Sequence, residues 1–216
     1  MITVLNTKGS LINQYVSEIR DIKKQKDRQR FRTNMERLGF LMAYEISKTL
    51  KLETINVTTP LGEASELVFQ HQPVLATILR AGLPLHQGFL NAFDQADNAF
   101  ISAYRKPHKN QDSFEIELEY MASPKLEGRE LILIDPMLAT GASMNLVLKS
   151  LRKYGTPSFI HVVSVIASKE GVENVKRKLP INARIWVAAL DDELTAQSYI
   201  VPGLGDAGDL AFGGKK

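Results

Sequence analysis

The apolar positions of this chain repeat with two periods, and the switches between them predict alternating strands and helices. Leu131, Ile132, Leu133 and Ile134 are four consecutive aliphatics, which suits a strand buried on both faces inside a parallel sheet. An acid and a small-residue turn follow at once. Met144, Val147, Leu148 and Leu151 then recur at helical spacing, with Ser143 as the expected N-cap and Gly155 just past the end. Upstream, Phe31, Met35, Leu38, Met42, Ile46 and Thr49 step by three or four, predicting one apolar stripe on a helix that starts at Asp27. Residues 1–26 read as an extended arm and a charged lead-in with little to bury.

Further strands are predicted over residues 54–58, before Pro60 and Gly62, and over 74–79, 99–104, 159–167 and 183–190. Pro84 suits the first turn of a helix after the second of these, and Arg105 ends the third. Phe114, Ile116, Leu118 and Tyr120 alternate with Glu115, Glu117 and Glu119, the two-residue period of a strand with one wet face. Together with the polar stretch before it, this strand predicts a hairpin arm over 105–121. A short helix is expected over 171–179. Strands alternating with helices imply an α/β domain with a mainly parallel sheet flanked by helices. The expected organisation is one domain over residues 1–216, with 191–216 as a loop and tail.

Composition narrows the chemistry. The chain has no cysteine, which removes disulfides, thiolate nucleophiles and cysteine metal sites and suits a reducing cytoplasm. No stretch has the length of a membrane span, so a soluble cytoplasmic protein without membrane contact is expected. His71, His86, His108 and His161 are scattered without ligand spacing, and no protein-held metal is expected. Net charge is +3, much of it between Arg20 and Arg37. That run could hold RNA phosphates, but a solvated helix face is the commoner use. Asp191, Asp192 and Glu193 read as a solvated turn that could touch magnesium through water.

The loop after the four-aliphatic run carries the most specific chemistry. A loop between a strand's carboxyl end and a helix start presents backbone N–H groups and the positive end of the helix dipole, which suits a phosphate. Thr140 and Ser143 add hydroxyls, Gly141 admits close backbone approach, and Asp135 could accept two hydrogen bonds from a vicinal diol. Phosphate plus diol describes a ribose phosphate. The same residue types also serve a plain helix cap.

Residues 135–143 (Asp135, Pro136, Met137, Leu138, Ala139, Thr140, Gly141, Ala142, Ser143) resemble the ribose-phosphate loop of the uracil phosphoribosyltransferases, in which proline stands where most phosphoribosyltransferases carry a second acid. Ile78-Leu79-Arg80-Ala81-Gly82-Leu83 resembles that family's pyrophosphate loop, and residues 199–209 resemble its uracil loop. The resemblance implies a phosphoribosyltransferase-type fold with the hairpin arm over the site. It also implies phosphoribosyl diphosphate (PRPP) and uracil as substrates, with uridine monophosphate (UMP) as product. By the same likeness, Arg80 and Arg105 stabilise the departing diphosphate and residues 135–143 hold the ribose phosphate. Ile200, Gly205 and Ala207 contact uracil, and Asp206 lies between base and donor as a candidate catalytic group. Mg²⁺ rides on the diphosphate, GTP is a candidate activator, and the family self-associates. Ala142 departs from the family loop, which has glycine there; if that position needs positive φ, alanine is strained. Two rivals stand beside this reading: transfer to another base, and a regulator that binds RNA or nucleotide without turnover.

Overall fold

The computed structural model describes residues 1–107 and 114–214; the side chains of residues 104–107 and 114–117 also lie outside the description. In chain order its elements are β1 (Ile2–Val4), α1 (Leu11–Arg20), α2 (Arg28–Ser47), β2 (Leu52–Thr59), β3 (Gly62–Phe69), β4 (Val74–Leu79), α3 (Gly82–Ala92), β5 (Asp97–Pro107) and β6 (Phe114–Ala122). There follow β7 (Glu130–Ile134), β8 (Met137–Leu138), α4 (Ala142–Leu151), β9 (Phe159–Ser168), α5 (Lys169–Lys176), β10 (Ala183–Asp191), β11 (Glu193–Leu194), β12 (Ile200–Val201) and α6 (Ala207–Phe212).

The main sheet runs β1-β10-β9-β7-β4-β5-β6, with β8 continuing the pairing on β9. Every pairing in it is parallel except β5 with β6. The aliphatic run is buried on both faces as expected. Ile132 and Ile134 pack with the residues of α1, α2 and α3, whereas Leu131 and Leu133 pack with those of α4 and α5. Side chains alternate across a strand, so a strand covered on both faces must be apolar at every position. Helix α2 buries Phe31, Met35, Leu38, Met42 and Ile46 on its predicted stripe, and Asp27 caps it by accepting from the Arg30 N–H at 3.0 Å. Thr49 falls beyond the helix and is exposed.

Several expectations are corrected. The first 26 residues are no bare arm: β1 pairs with β10, and α1, opened by a Ser10–Asn13 capping box, buries Ile12, Val16 and Ile19. The strand expected at 54–58 has a partner, β3, in a separate two-stranded sheet, most of whose positions are exposed. With exposed positions on both faces and mixed composition, β3 lacks a clear period. Arg105 does not end its strand; it pairs with Ile116 inside the β5–β6 hairpin. Residues 108–113 and the side chain of Arg105, both part of the arm expected over 105–121, lie outside the described residues.

The basic run is only partly a solvated face. Arg30 holds the buried Glu18 (Nη2 to Oε2, 2.8 Å), Arg32 donates to the Ala211 carbonyl at 2.7 Å, and Arg37 lies over the Tyr15 ring. A hydrogen bond from Asn34, aided by Gln14 and Arg30, holds the Glu18 carboxyl below its ordinary range against the opposing effect of burial. These cations are spent on α1 and the C-terminal helix. Among the described residues, no helix is long and apolar enough to cross a membrane.

Candidate active site

The sheet order places the site. From β4 the chain crosses by α3 to β5 on one side, while β7, on the other side of β4, is followed by α4 and then β9. Helices α3 and α4 pack on opposite faces, which opens a crevice at the carboxyl ends of β4 and β7. Ligands of open α/β sheets bind at such switch points. A cleft of about 260 Å³ lies there, lined by Ile78, Leu79 and Ala81 from the end of β4, by Asp135, Pro136, Met137, Ala139 and Ser143 after β7, and by Ser198, Tyr199 and residues 205–208 near the C-terminus; Ala103 of β5 joins the wall. Three stretches far apart in sequence thus face one space.

The loop after β7 is held mainly by backbone. The Asp135 N–H donates to the Val163 carbonyl at 3.0 Å, and the Pro136 carbonyl accepts from both Val165 and Ile166 at 3.0 Å. Ser168 ties α5 to the loop: its Oγ donates to the Ala139 carbonyl at 2.6 Å and accepts from the Gly171 N–H at 2.9 Å. Asn174 adds a bond to the Thr140 carbonyl at 3.3 Å. Gly141 has φ 78° and caps α4, so Ser143 sits one residue inside the helix and is not its N-cap. The strain expected at Ala142 is absent: among the described residues Ser198 is the only non-glycine with positive φ. Ala142 opens α4 as an ordinary helical residue.

Thr140, Gly141 and Ala142 do not line the cleft. Gly141 packs against Val175 and Gly171, and Leu138 is buried. At the C-terminal edge, Asp206 caps α6, its Oδ1 accepting from Gly208 N–H at 2.8 Å and Asp209 N–H at 3.0 Å. Residues 191–216 are therefore not all loop and tail, since α6 follows at once. Gly205, with φ 95°, Asp206 and Ala207 reach the cleft, whereas Ile200 is buried and does not line it.

Arg80 stands at the rim. Its Nη2 donates to Asp209 Oδ1 at 3.1 Å and lies about 3.5 Å from where a Cβ on the cleft-lining Gly208 would be. The peptide bond between Leu79 and Arg80 is cis. Behind this turn Gly82 leaves no space for a side chain, since its Cβ would fall 2.3 Å from Thr77 Oγ1.

A family model described as uracil phosphoribosyltransferase matches residues 6–214. The chain belongs to the uracil phosphoribosyltransferase family. It is 54% identical over 211 residues to a uracil phosphoribosyltransferase of Porphyromonas gingivalis, covering 98% of this chain and 97% of the relative. It is 41% identical over 206 residues to one of Pyrococcus furiosus, covering 94% and 86%. Among solved structures it superposes on the AQ2163 protein of Aquifex aeolicus with TM-score 0.87 at 30% identity, over 99% of this chain and 98% of that one.

This phosphoribosyltransferase also has supporting residues that its motifs do not announce. Asp191, expected in a solvated turn, is buried and paired with Arg20. Ser168 and Gly171 brace the loop after β7 from the start of α5; a serine three residues before a glycine at a helix start was the available signal. Tyr199 and Ser198 join the cleft through the turn between β11 and β12, where no periodicity could place them.

Proposed function

We propose that this protein transfers ribose 5-phosphate from PRPP to N1 of uracil, giving UMP and diphosphate. The observation that carries the proposal is the single cleft that gathers the three loops of the family pattern. The C1–oxygen bond to diphosphate breaks, the C1–N1 bond forms, and the proton of N1 leaves to solvent or a nearby base. Charge develops on the ribose and on the departing oxygens, so orientation and electrostatics can supply the rate without a covalent nucleophile.

Asp135 binds the ribose hydroxyls at the end of β7. Backbone N–H groups and the Ser143 hydroxyl at the start of α4 hold the 5′-phosphate. Arg80 exchanges its contact with Asp209 for the diphosphate, and Arg105 is the second cation that the family pattern assigns to that group. N–H groups of Gly205 and Ala207 read the base edge; an exocyclic amine in place of an acceptor leaves one of them unpaired, which rejects cytosine. Asp206 stands between base and donor and stabilises the developing positive charge.

No group of three or more potential metal ligands stands together among the described residues. The cleft carboxylates of Asp135 and Asp206 fit a hydrated Mg²⁺ that arrives on the diphosphate oxygens. When bound, it neutralises charge on the leaving group. The same proposal includes a GTP activator, self-association and a cytoplasmic setting.

The test is to mix purified protein with PRPP and Mg²⁺ and to follow nucleotide formation with uracil, cytosine and other bases separately. UMP from uracil with little product from other bases is expected. Product from another base alone would reassign the acceptor, and donor binding without turnover on any base would overturn the proposal.

A further inference from the structure

The segment that forms the base wall of the cleft is thinly supported by its own secondary structure. Strands β11 and β12 have two residues each, and residues 202–206 connect β12 to α6 without belonging to either. Yet Gly205 and Ala207 must present N–H groups to a flat base with sub-ångström placement, because an error of about 1 Å in a reacting geometry costs roughly 100-fold in rate. The structure shows what supplies the rigidity, and it comes from the other end of the chain.

Arg20 is the last residue of α1, and Asp191 is the last residue of β10, with its side chain only 6% exposed. Their contact is bidentate: Arg20 Nη1 donates to Asp191 Oδ2 at 2.8 Å and Nη2 donates to Oδ1 at 2.6 Å. Both partners also grip one residue of the base segment. Arg20 Nη1 donates to the Gly203 carbonyl at 2.8 Å, and the Gly203 N–H donates to Asp191 Oδ2 at 2.9 Å. Gly203 has φ 57°, and a Cβ there would meet the Ile200 carbonyl at 2.1 Å, so glycine is required where the brace closes. The next residue, Leu204, is buried in the same core cluster as Ile12, Val16 and Ile19 of α1. With its amide nitrogen facing inward, Gln25 adds a bond to the Leu204 carbonyl at 2.8 Å.

We propose that Arg20 and Asp191 are positioning residues for the base, acting through Gly203 to fix the N–H groups of Gly205 and Ala207. Neither side chain lines the cleft, and neither touches the reacting atoms. A bidentate guanidinium–carboxylate pair fixes orientation as well as distance, and the burial of Asp191 limits the competition of water. The proposal rests on the reading of residues 200–207 as the base wall. It assigns base affinity to a residue 183 positions from Gly203 in sequence.

The test compares wild type with Arg20→Lys, Arg20→Met and the double variant Arg20→Met/Asp191→Leu. The double variant removes both partners and so leaves no buried unpaired carboxylate, which keeps folding separate from positioning. The expected result is a KM for uracil raised about tenfold or more in Arg20→Met and in the double variant, a smaller rise in Arg20→Lys, and a KM for PRPP within about threefold of wild type throughout. Amide hydrogen exchange over residues 203–207 should accelerate in the double variant while β9 and β10 keep their protection. An unchanged uracil KM, or uracil and PRPP KM values rising in parallel, would overturn the proposal. If wild type makes no nucleotide from any base, the proposed function fails instead. The exchange comparison then decides the brace alone, and unchanged exchange at 203–207 would sink it.

Discussion

Replacing Gly171 with alanine tests whether the loop after β7, proposed to hold the ribose phosphate, is positioned by helix α5. A Cβ at residue 171 would fall 2.0 Å from the Ala139 carbonyl oxygen and 2.8 Å from that of Leu138. Ordinary contact begins at 3.4 Å, so the closer pair must separate by 1.4 Å. Both obstructing atoms are backbone, in the very stretch that joins β8 to α4, and Ser168 pins that stretch with its 2.6 Å bond to the same carbonyl. Relief therefore comes from moving the loop or tilting α5, not from turning a side chain. Overpacking of this kind costs about 1 to 3 kcal/mol, while alanine regains about 1 kcal/mol of helix propensity over glycine. The net loss, about 0 to 2 kcal/mol, lowers the melting temperature by no more than about 8 °C for a chain of this size.

The kinetic effect is expected to be larger than the thermal one. If the loop holds the phosphate as proposed, a shift near 1 Å predicts a loss in kcat/KM for PRPP of roughly ten- to 100-fold. Steady-state kinetics with PRPP varied at saturating uracil, beside a thermal melt, measures both. Gly9→Ala is the control, since a Cβ at residue 9 meets nothing within 4 Å. If Gly171→Ala keeps kcat/KM for PRPP within twofold of wild type, α5 does not set the loop position and the reasoning fails.

Three further outcomes are expected. Ala142→Gly should leave the KM for PRPP within about twofold and cost up to about 1 kcal/mol of stability, because Ala142 is an ordinary helical residue; a tighter KM would mean that alanine strains the loop after all. Asp206→Asn should keep the cap on α6, since asparagine caps as well as aspartate, and still lose most turnover, whereas Asp206→Ala should lose about 1 kcal/mol as well. Near-normal turnover of a folded Asp206→Asn protein would remove its carboxylate from the chemistry. His86 is buried in α3, and burial pushes its pKa below the ordinary 6.5, with Asn98 pulling the other way. The unfolded imidazole therefore takes up its proton first as pH falls. The stability tied to the neutral ring is fully present above about pH 6.5 and is lost as pH falls through the lower folded value. Thermal melts from pH 7.5 to 5 should show a shallower slope in His86→Leu than in wild type, and identical slopes would refute the assignment.

Periodicity carried much of the fold because a strand buried on both faces and an amphipathic helix each leave a local signature. The run from Leu131 to Ile134 and the stripe from Phe31 to Ile46 appear as those elements in the structure; the alternation from Phe114 to Tyr120 falls in a strand, but Tyr120, expected on its dry face, is exposed. Residues 1–26 were less legible. Helix α1 is short and its apolar positions mean little until the rest of the core exists to cover them, while β1 has three residues and becomes a strand only beside β10. The C-terminal residues misled for a related reason: a glycine-rich stretch of turns conceals a helix of six residues whose first turn depends on the Asp206 cap.

The sequence by itself determined the alternating α/β order, the aliphatic strand that ends on Asp135 and the three motifs of the candidate site, since each depends on residues within a few positions of one another. Tertiary structure decided which motif residues reach the cleft and what holds them there. Gly171 against Ala139, Ser168 on the loop and Arg20 with Asp191 on Gly203 are contacts between segments that meet only when the sheet and its helices assemble. Their identity depends on distances in space, which no local pattern of residue types encodes.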